Sequence, residues 1–439
     1  MDVVMMLPYK CFPNPHIYKT ANFPSIMEKE VGRHIKIRNE RGLKRTLGLW
    51  KTTIAGIGII LGAGIYALIG VGAGSAGPAL WLSFLVAGFV ATLSGLSYAE
   101  LSSIFKGDAA EYDYIEKAFH KHIALIISIS ILFAVVFVSA AVALGFGGYF
   151  QSLFGFDIFW IAFVLLLILT IINWLGIELS STLNIIFTVI EASGLLFIIL
   201  LGIPKWGSVN LFYMPHGFSG VLQAGALVFF SFLGFESMVK LTEETKNPSK
   251  NMPRAIIFAV TITTVIYILV AVSAVSVLDW QALNSSKSPL ADVAGQGLGA
   301  YTFVVIALVA LFSTTNTVLM ELVTGSRMIY GMAREKVFPR WLGNINRVTR
   351  TPHYAVFAVG LFSLVFLFFN DLERVASLAN FFTFITFAMV NFAVIVLRKS
   401  YPKKRSFVVP GSVFGVPVLP LLGGLLSLGM LYYVWLGIV

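Results

Sequence analysis

Two stretches decide how this chain is read: Gly58-Ile59-Ile60-Leu61-Gly62-Ala63-Gly64-Ile65 and Phe230-Ser231-Phe232-Leu233-Gly234-Phe235-Glu236-Ser237. Each places small residues near the middle of an apolar run. The first lies about 18 Å from Trp50 at about 1.5 Å per helical residue, which is mid-depth in a hydrocarbon layer about 30 Å thick. The second adds a carboxylate, Glu236, at the same depth, where a charged group costs roughly 2.5–3.5 kcal/mol and so serves a cavity or a partner.

Around them the composition requires a membrane. Of 439 residues, 58% are apolar or aromatic and 12% are charged, against about 25% charged in a soluble domain. Eleven segments are long enough to cross a bilayer: 50–74, 78–103, 122–150, 158–176, 181–202, 219–241, 254–277, 300–331, 353–369, 372–397 and 413–438. With the N-terminus inside, only Lys205, Lys287 and Arg374 of the 31 basic residues fall in outer segments. Basic residues near helix ends stay on the cytoplasmic side, so the net charge of +10 is a topology signal and argues against nucleic acid as a partner.

Residues 1–49 read as a largely disordered basic cytoplasmic tail with no secretory signal, and Met27 is an alternative start. The single cysteine, Cys11, lies in that tail, so no intramolecular disulfide forms. There is no G-x-x-x-x-G-K-[ST] loop, no H-E-x-x-H and no G-x-S-x-G turn, and the six histidines fall in tails, loops or helix ends. Nucleotide-driven pumping and catalysis are therefore not expected, nor is a cofactor.

Glycine-interrupted apolar segments at corresponding places in two halves point to a transporter's site. Spans one to five and six to ten form such halves, and because each has five crossings the second is inverted. Span one runs outward, so after its interruption a half-helix begins and the N–H groups of Ala63, Gly64 and Ile65, beside Gly62, face the mid-membrane. That end suits a carboxylate. Span six runs inward, so the carbonyls of Phe230, Ser231 and Leu233, beside Gly234, lose helical partners and suit an ammonium. The pair fits a zwitterion. Phe230, Phe232 and Phe235 are candidates for an apolar or cation–π wall, and Phe232 for a gate. A buried carboxyl in span five, Glu191, is the candidate ion-coupling group. Ser313, Thr314, Thr315 and Asn316 in span eight are candidate partners for it, through a proton or a sodium ion. Glu321 is a weaker candidate, and Glu100 is expected to make a structural or gate contact.

The motifs resemble the amino acid–polyamine–organocation family of secondary transporters over nearly all of residues 46–438. The matching stretches are Gly62-Ala63-Gly64-Ile65-Tyr66, Leu96-Ser97-Tyr98-Ala99-Glu100-Leu101, Phe232-Leu233-Gly234-Phe235-Glu236 and Glu243-Glu244-Thr245-Lys246-Asn247-Pro248 leading to Pro253-Arg254. Ser288-Pro289-Leu290, and Ser326-Arg327 through Ala333-Arg334 to Pro339, follow in the same order. The resemblance implies an all-α integral membrane protein with a five-plus-five inverted-repeat fold of the leucine-transporter type. Its repeats would be 50–202 and 219–397, with a peripheral span at 413–438 and spans one and six discontinuous.

It also implies a carboxylate-binding turn at Gly62, Ala63 and Gly64, an amino-group site at Phe230, Leu233 and Gly234, and a gating role for Glu236. Three departures stand out. Eleven spans are read instead of twelve, Ala109-Ala110 replaces a glycine pair, and Glu191 stands where some proton-coupled relatives carry a lysine. The expected function is secondary transport of an amino acid by symport or exchange in the cell membrane. A polyamine carrier, a channel and a non-transporting sensor are the alternatives, and the oligomeric state stays open.

Overall fold

The computed structural model describes residues 47–105, 110–176, 181–243, 245–334, 336–346, 349, 351–400, 405 and 407–438. Cys11, Met27 and Ala109 lie outside them. Of the expected tail, Leu47 forms a parallel bridge to Thr245, with the Lys246 N–H donating to the Leu47 carbonyl at 2.7 Å.

The chain is built from helices α1 (Leu49–Ile60), α2 (Ala63–Ala76), α3 (Leu80–Ser102), α4 (Ala110–Ala118), α5 (Lys121–Phe154), α6 (Ile158–Leu175), α7 (Ser181–Gly202) and α8 (Gly217–Val228). Two 3-10 segments follow, Phe229–Phe232 and Phe235–Glu243. Then come α9 (Pro248–Val277), α10 (Trp280–Ser285), α11 (Pro289–Leu298), α12 (Ala300–Arg334), α13 (His353–Leu367) and α14 (Leu372–Ser400). A hairpin of β1 (Ser412–Val413) and β2 (Val416–Pro417) leads into α15 (Val418–Ile438).

All eleven segments read from the sequence are helical over most of their length. Among the described residues nine runs are long and apolar enough to cross a membrane, with Ala63–Ser102 counted as one run and His353–Leu367 shorter. Within that run the turn Gly77–Ala79 separates α2 from α3, and Gly77 at φ 62° can close α2 because it has no Cβ. Apolar side chains such as Trp160, Leu361 and Tyr432 are exposed on the outer faces, where lipid, not water, is the matching solvent. The protein is a mostly helical, multi-pass membrane protein.

The interior is packed with aromatic rings. Tyr98 meets Phe235 and Phe387 edge to face, with ring centres 6.1 and 5.6 Å apart, and all three are buried. These contacts hold the second 3-10 segment between α3 and α14. The Asn380 amide on α14 donates to the carbonyls of Ala226 and Leu227, at 2.8 Å each. It thereby satisfies the last turn of α8, whose carbonyls have no helical partner once the α-helix stops.

At the end of α3, Glu100 is buried with its carboxylate on three donors. Arg398 donates through Nε at 2.9 Å and through Nη2, the Val409 N–H donates at 2.8 Å, and Arg405 Nε adds an ion-pair contact at 3.2 Å. This cluster ties α3, α14 and the segment before α15, the structural contact expected of Glu100. Removing one partner of a buried pair leaves the other charge uncompensated, so Glu100→Ala is expected to cost about 3–5 kcal/mol. A melting midpoint in detergent equal to that of the native chain would refute this.

Candidate functional site

Helix α1 ends at Ile60. Leu61 still bonds back, its N–H donating to the Ile57 carbonyl at 2.7 Å, but its ψ of 106° turns the chain out of the helix. Gly62 is extended at φ −147°, and α2 begins at Ala63. In the second stretch the α-helix gives way to 3-10 turns at Phe229, and Leu233 and Gly234 separate the two 3-10 segments. Gly234 has φ 113°, and a Cβ there would stand 2.7 Å from the Ile59 carbonyl oxygen, so only glycine fits both the backbone and the approach.

The two stretches touch. A Cβ on Gly64 would lie 2.6 Å from Ser231 Cα and 2.9 Å from Ser231 Oγ. Both stretches line one cavity of about 850 Å³, to which Gly62, Ala63, Gly64, Phe230, Ser231, Leu233 and Gly234 all contribute. The cavity extends along α12, past Asn316, Thr317 and Met320, to Arg334 and Pro352.

The backbone groups expected to be free at the two stretches are partly occupied. The Ala63 N–H donates to Thr317 Oγ1 at 3.1 Å. The Phe230 carbonyl accepts the Leu233 N–H at 3.2 Å, and the Ser231 carbonyl accepts the Tyr267 hydroxyl at 2.9 Å. This corrects the expectation of bare helix ends, because orphan groups buried away from water are satisfied by tighter turns and by side chains. Ser231 Oγ, buried at the contact, has no hydrogen-bond partner among the described residues.

Other expected residues are placed around the cavity instead of on it. Ile65 is fully buried. Phe232 is buried against Tyr267, with ring centres 5.2 Å apart. Of the three phenylalanines expected as a wall, only Phe230 lines the cavity. Glu236 folds back on its own segment, both carboxylate oxygens accepting the Gly234 N–H at 3.1 and 2.9 Å. It borders a smaller cavity with Tyr98, Glu111 and Glu321.

Glu191 on α7 is buried, and neither carboxylate oxygen has a hydrogen-bond partner within normal geometry among the described residues. The polar side chains facing it are Asn316 and Ser313 of α12. Asn316 also lines the main cavity and so stands between Glu191 and that space. Thr314 points elsewhere, its hydroxyl donating to the Ala310 carbonyl at 2.7 Å within its own helix. Thr315 does the same to Leu311 at 2.7 Å. Tyr66, next to the first stretch, donates its hydroxyl to the Glu191 main-chain carbonyl at 2.8 Å, which joins α2 to α7.

Sequence reasoning missed Thr317 and Tyr267. Thr317 follows directly on the polar run Ser313–Asn316, so its extension by one residue was a usable signal. Tyr267 sits in Val265-Ile266-Tyr267-Ile268 and has no local feature that separates it from a lipid-facing tyrosine.

The profile of the amino acid permease family matches residues 47–439, nearly all of the described chain. The branched-chain amino acid permease BcaP of Bacillus subtilis (strain 168) is 32% identical over 408 residues, covering 87% of this chain and 86% of its own. The methylthioribose transporter of the same organism is 31% identical over 418 residues and covers 89% of each. Cationic amino acid transporter 4, vacuolar, of Arabidopsis thaliana is 28% identical over 401 residues, 85% of this chain and 67% of its own. A family profile matched along residues 47–439 and a permease 32% identical over 87% of the chain place the protein in the amino acid permease family: it is a membrane transporter and not an enzyme.

Proposed function

We propose that the chain is a secondary carrier of amino acids in the cell membrane, with a cytoplasmic N-terminus. Its spans form two inverted repeats, 50–202 and 219–397, and a peripheral span at 413–438. The observation that carries this reading is the contact of Gly64 with Ser231 at one cavity, which brings a helix N-terminus and an unwound segment to the same point.

In this reading Gly62, Ala63, Gly64 and Ile65 form the carboxylate site. The N–H groups of Gly64 and Ile65 are the donors, since Thr317 already takes that of Ala63. Phe230, Ser231, Leu233 and Gly234 receive the ammonium, with Phe230 as the apolar wall. Glu236 holds Gly234 in place and, with Phe232, sets the gate. The cavity extends toward Arg334 and Pro352, which the charge asymmetry assigns to the cytoplasmic side, so the conformation is inward-facing. The driving ion is a proton carried by Glu191, with Ser313 and Asn316 beside it and Thr314 holding its helix turn.

A panel in proteoliposomes tests this. Radiolabelled leucine, alanine, arginine, putrescine and methylthioribose are offered with and without a pH or sodium gradient, and with and without the same compound on the far side. Saturable uptake of at least one amino acid, stimulated by that amino acid on the far side, is expected. Uptake of putrescine alone or methylthioribose alone would overturn the substrate class. Unsaturable conductance would indicate a channel, and absence of any flux a sensor.

A further inference from the structure

From Phe407 to Val439 the chain carries no charged side chain. Within that stretch α15 has 21 residues, a length of about 31 Å at about 1.5 Å per residue, which matches a hydrocarbon layer about 30 Å thick. Val418, its first residue, therefore stands at the edge of that layer. Its N–H donates to the Gly411 carbonyl at 2.9 Å, which closes the β1–β2 hairpin at the same edge. The connection between α12 and α13 is of a different kind, with Lys336, Arg340, Arg347 and Arg350 suited to water.

The tip of the hairpin is a poor choice for water. Val413 pairs with Val416, so Phe414 and Gly415 form a two-residue loop, with φ 50° and 80°. Two positive φ values describe a type I′ turn, whose first position favours asparagine, aspartate or glycine. The Cβ of a phenylalanine is strained there, and the ring of Phe414 is fully exposed. Val413 and Val418, at the tip and the base of the same hairpin, are exposed as well. Lipid around the ring offsets both penalties, whereas water offsets neither.

The stem is fixed to the helices. Ser412 Oγ accepts from Arg398 Nη1 at 2.7 Å, and the same guanidinium donates through Nε to Glu100 of α3 at 2.9 Å. A force on the tip is thus passed to α3 and α14.

We propose that the hairpin is a membrane anchor: Phe414 inserts its ring at the boundary between lipid headgroups and acyl chains, beside the start of α15, and sets the depth of the Glu100 cluster. Apolar side chains of interfacial segments bury themselves at that boundary. The leaflet is the cytoplasmic one in the orientation proposed above, while the insertion itself depends neither on that orientation nor on the substrate.

Two arms test this, both on the full chain in nanodiscs of phosphatidylcholine and phosphatidylglycerol in equal parts. In the first, Cys11→Ser removes the single native thiol and Phe414→Cys supplies one site for a nitroxide label. Collisions of the label with oxygen, which partitions into lipid, are compared with collisions with a water-soluble nickel chelate. Ser400→Cys, at the exposed end of α14, is the water reference, and Leu425→Cys, on the exposed face of α15, is the lipid reference. The oxygen-to-nickel ratio at residue 414 is expected to exceed that at residue 400 at least threefold. A ratio equal to that at residue 400 would put the tip in water and overturn the anchor. Low collision with both reagents would mean that a second copy of the chain covers the tip, and would overturn it too.

The second arm turns on a sign. Phe414→Asn supplies the residue that this turn prefers, so with the tip in water it should raise the melting midpoint. With the ring in lipid it is expected to lower the midpoint, by about 2 °C. Phe414→Trp, which keeps an aromatic ring, is expected to stay at the native midpoint. A midpoint at or above the native value in Phe414→Asn, or an equal loss in Phe414→Trp, would overturn the anchor.

Discussion

Gly64→Val is expected to reduce uptake at least a hundredfold while the protein is still recovered folded in detergent. The reason is the contact between the two interruptions. A first side-chain carbon at residue 64 would stand 2.6 Å from Ser231 Cα, a main-chain atom that cannot rotate away as the end of a flexible side chain can. The branched carbons of valine add to this at the point where the proposed carboxylate and ammonium sites meet. The surrounding helices are held by contacts elsewhere, including the Glu100 cluster and the aromatic interior. Overpacking there typically costs about 1–3 kcal/mol, less than a folded domain's stability of about 5–15 kcal/mol. Gly64→Ala, with a single added carbon, is expected to fall between the native chain and Gly64→Val. Binding of a carried amino acid to Gly64→Val with native affinity, measured in detergent, would sink the assignment of the site.

Glu191→Gln is expected to abolish the dependence of uptake on the pH gradient and to leave exchange of substrate across the membrane measurable. Glutamine keeps the size and the hydrogen-bonding reach of the side chain but cannot release or take up a proton at that atom. Glu191 suits the role by its position: it is buried on α7, faces Ser313 and Asn316, and is reached from the cavity past Asn316. One proton moved per substrate supports about tenfold accumulation per pH unit, since a unit corresponds to about 1.36 kcal/mol. That accumulation should vanish in Glu191→Gln while exchange at equal pH continues. Proton dependence equal to that of the native chain would remove Glu191 from the mechanism, and a dependence on sodium in the native chain would reassign the ion.

The two predictions differ in how far the sequence supported them. Gly64 stood out because glycine and alanine interrupt an otherwise apolar run at mid-depth, and the structure adds that the residue it must approach is Ser231. Glu191 stood out because a carboxylate in the middle of an apolar span needs a reason. Which polar residues of α12 face it was not legible, because Ser313, Thr314, Thr315 and Asn316 are consecutive and point in different directions around a helix. Thr314 and Thr315 bond to their own helix, whereas Ser313 and Asn316, three apart, share the face toward Glu191.

By itself the sequence determined that this chain is a bundle of membrane-crossing helices, where those helices lie, and where two of its segments fail to continue. These follow from local properties: the length of apolar runs and the placement of glycine. Only the tertiary structure decided how the interrupted ends are satisfied. The partner of the Ala63 N–H is Thr317, 254 residues away, and the hydroxyl reaching both Ile60 and Ser231 comes from Tyr267 on a different span. A helix end shows in the sequence because it is a property of neighbouring residues. The group that satisfies it depends on which distant helix packs alongside, and that is set by the fit of whole helix faces.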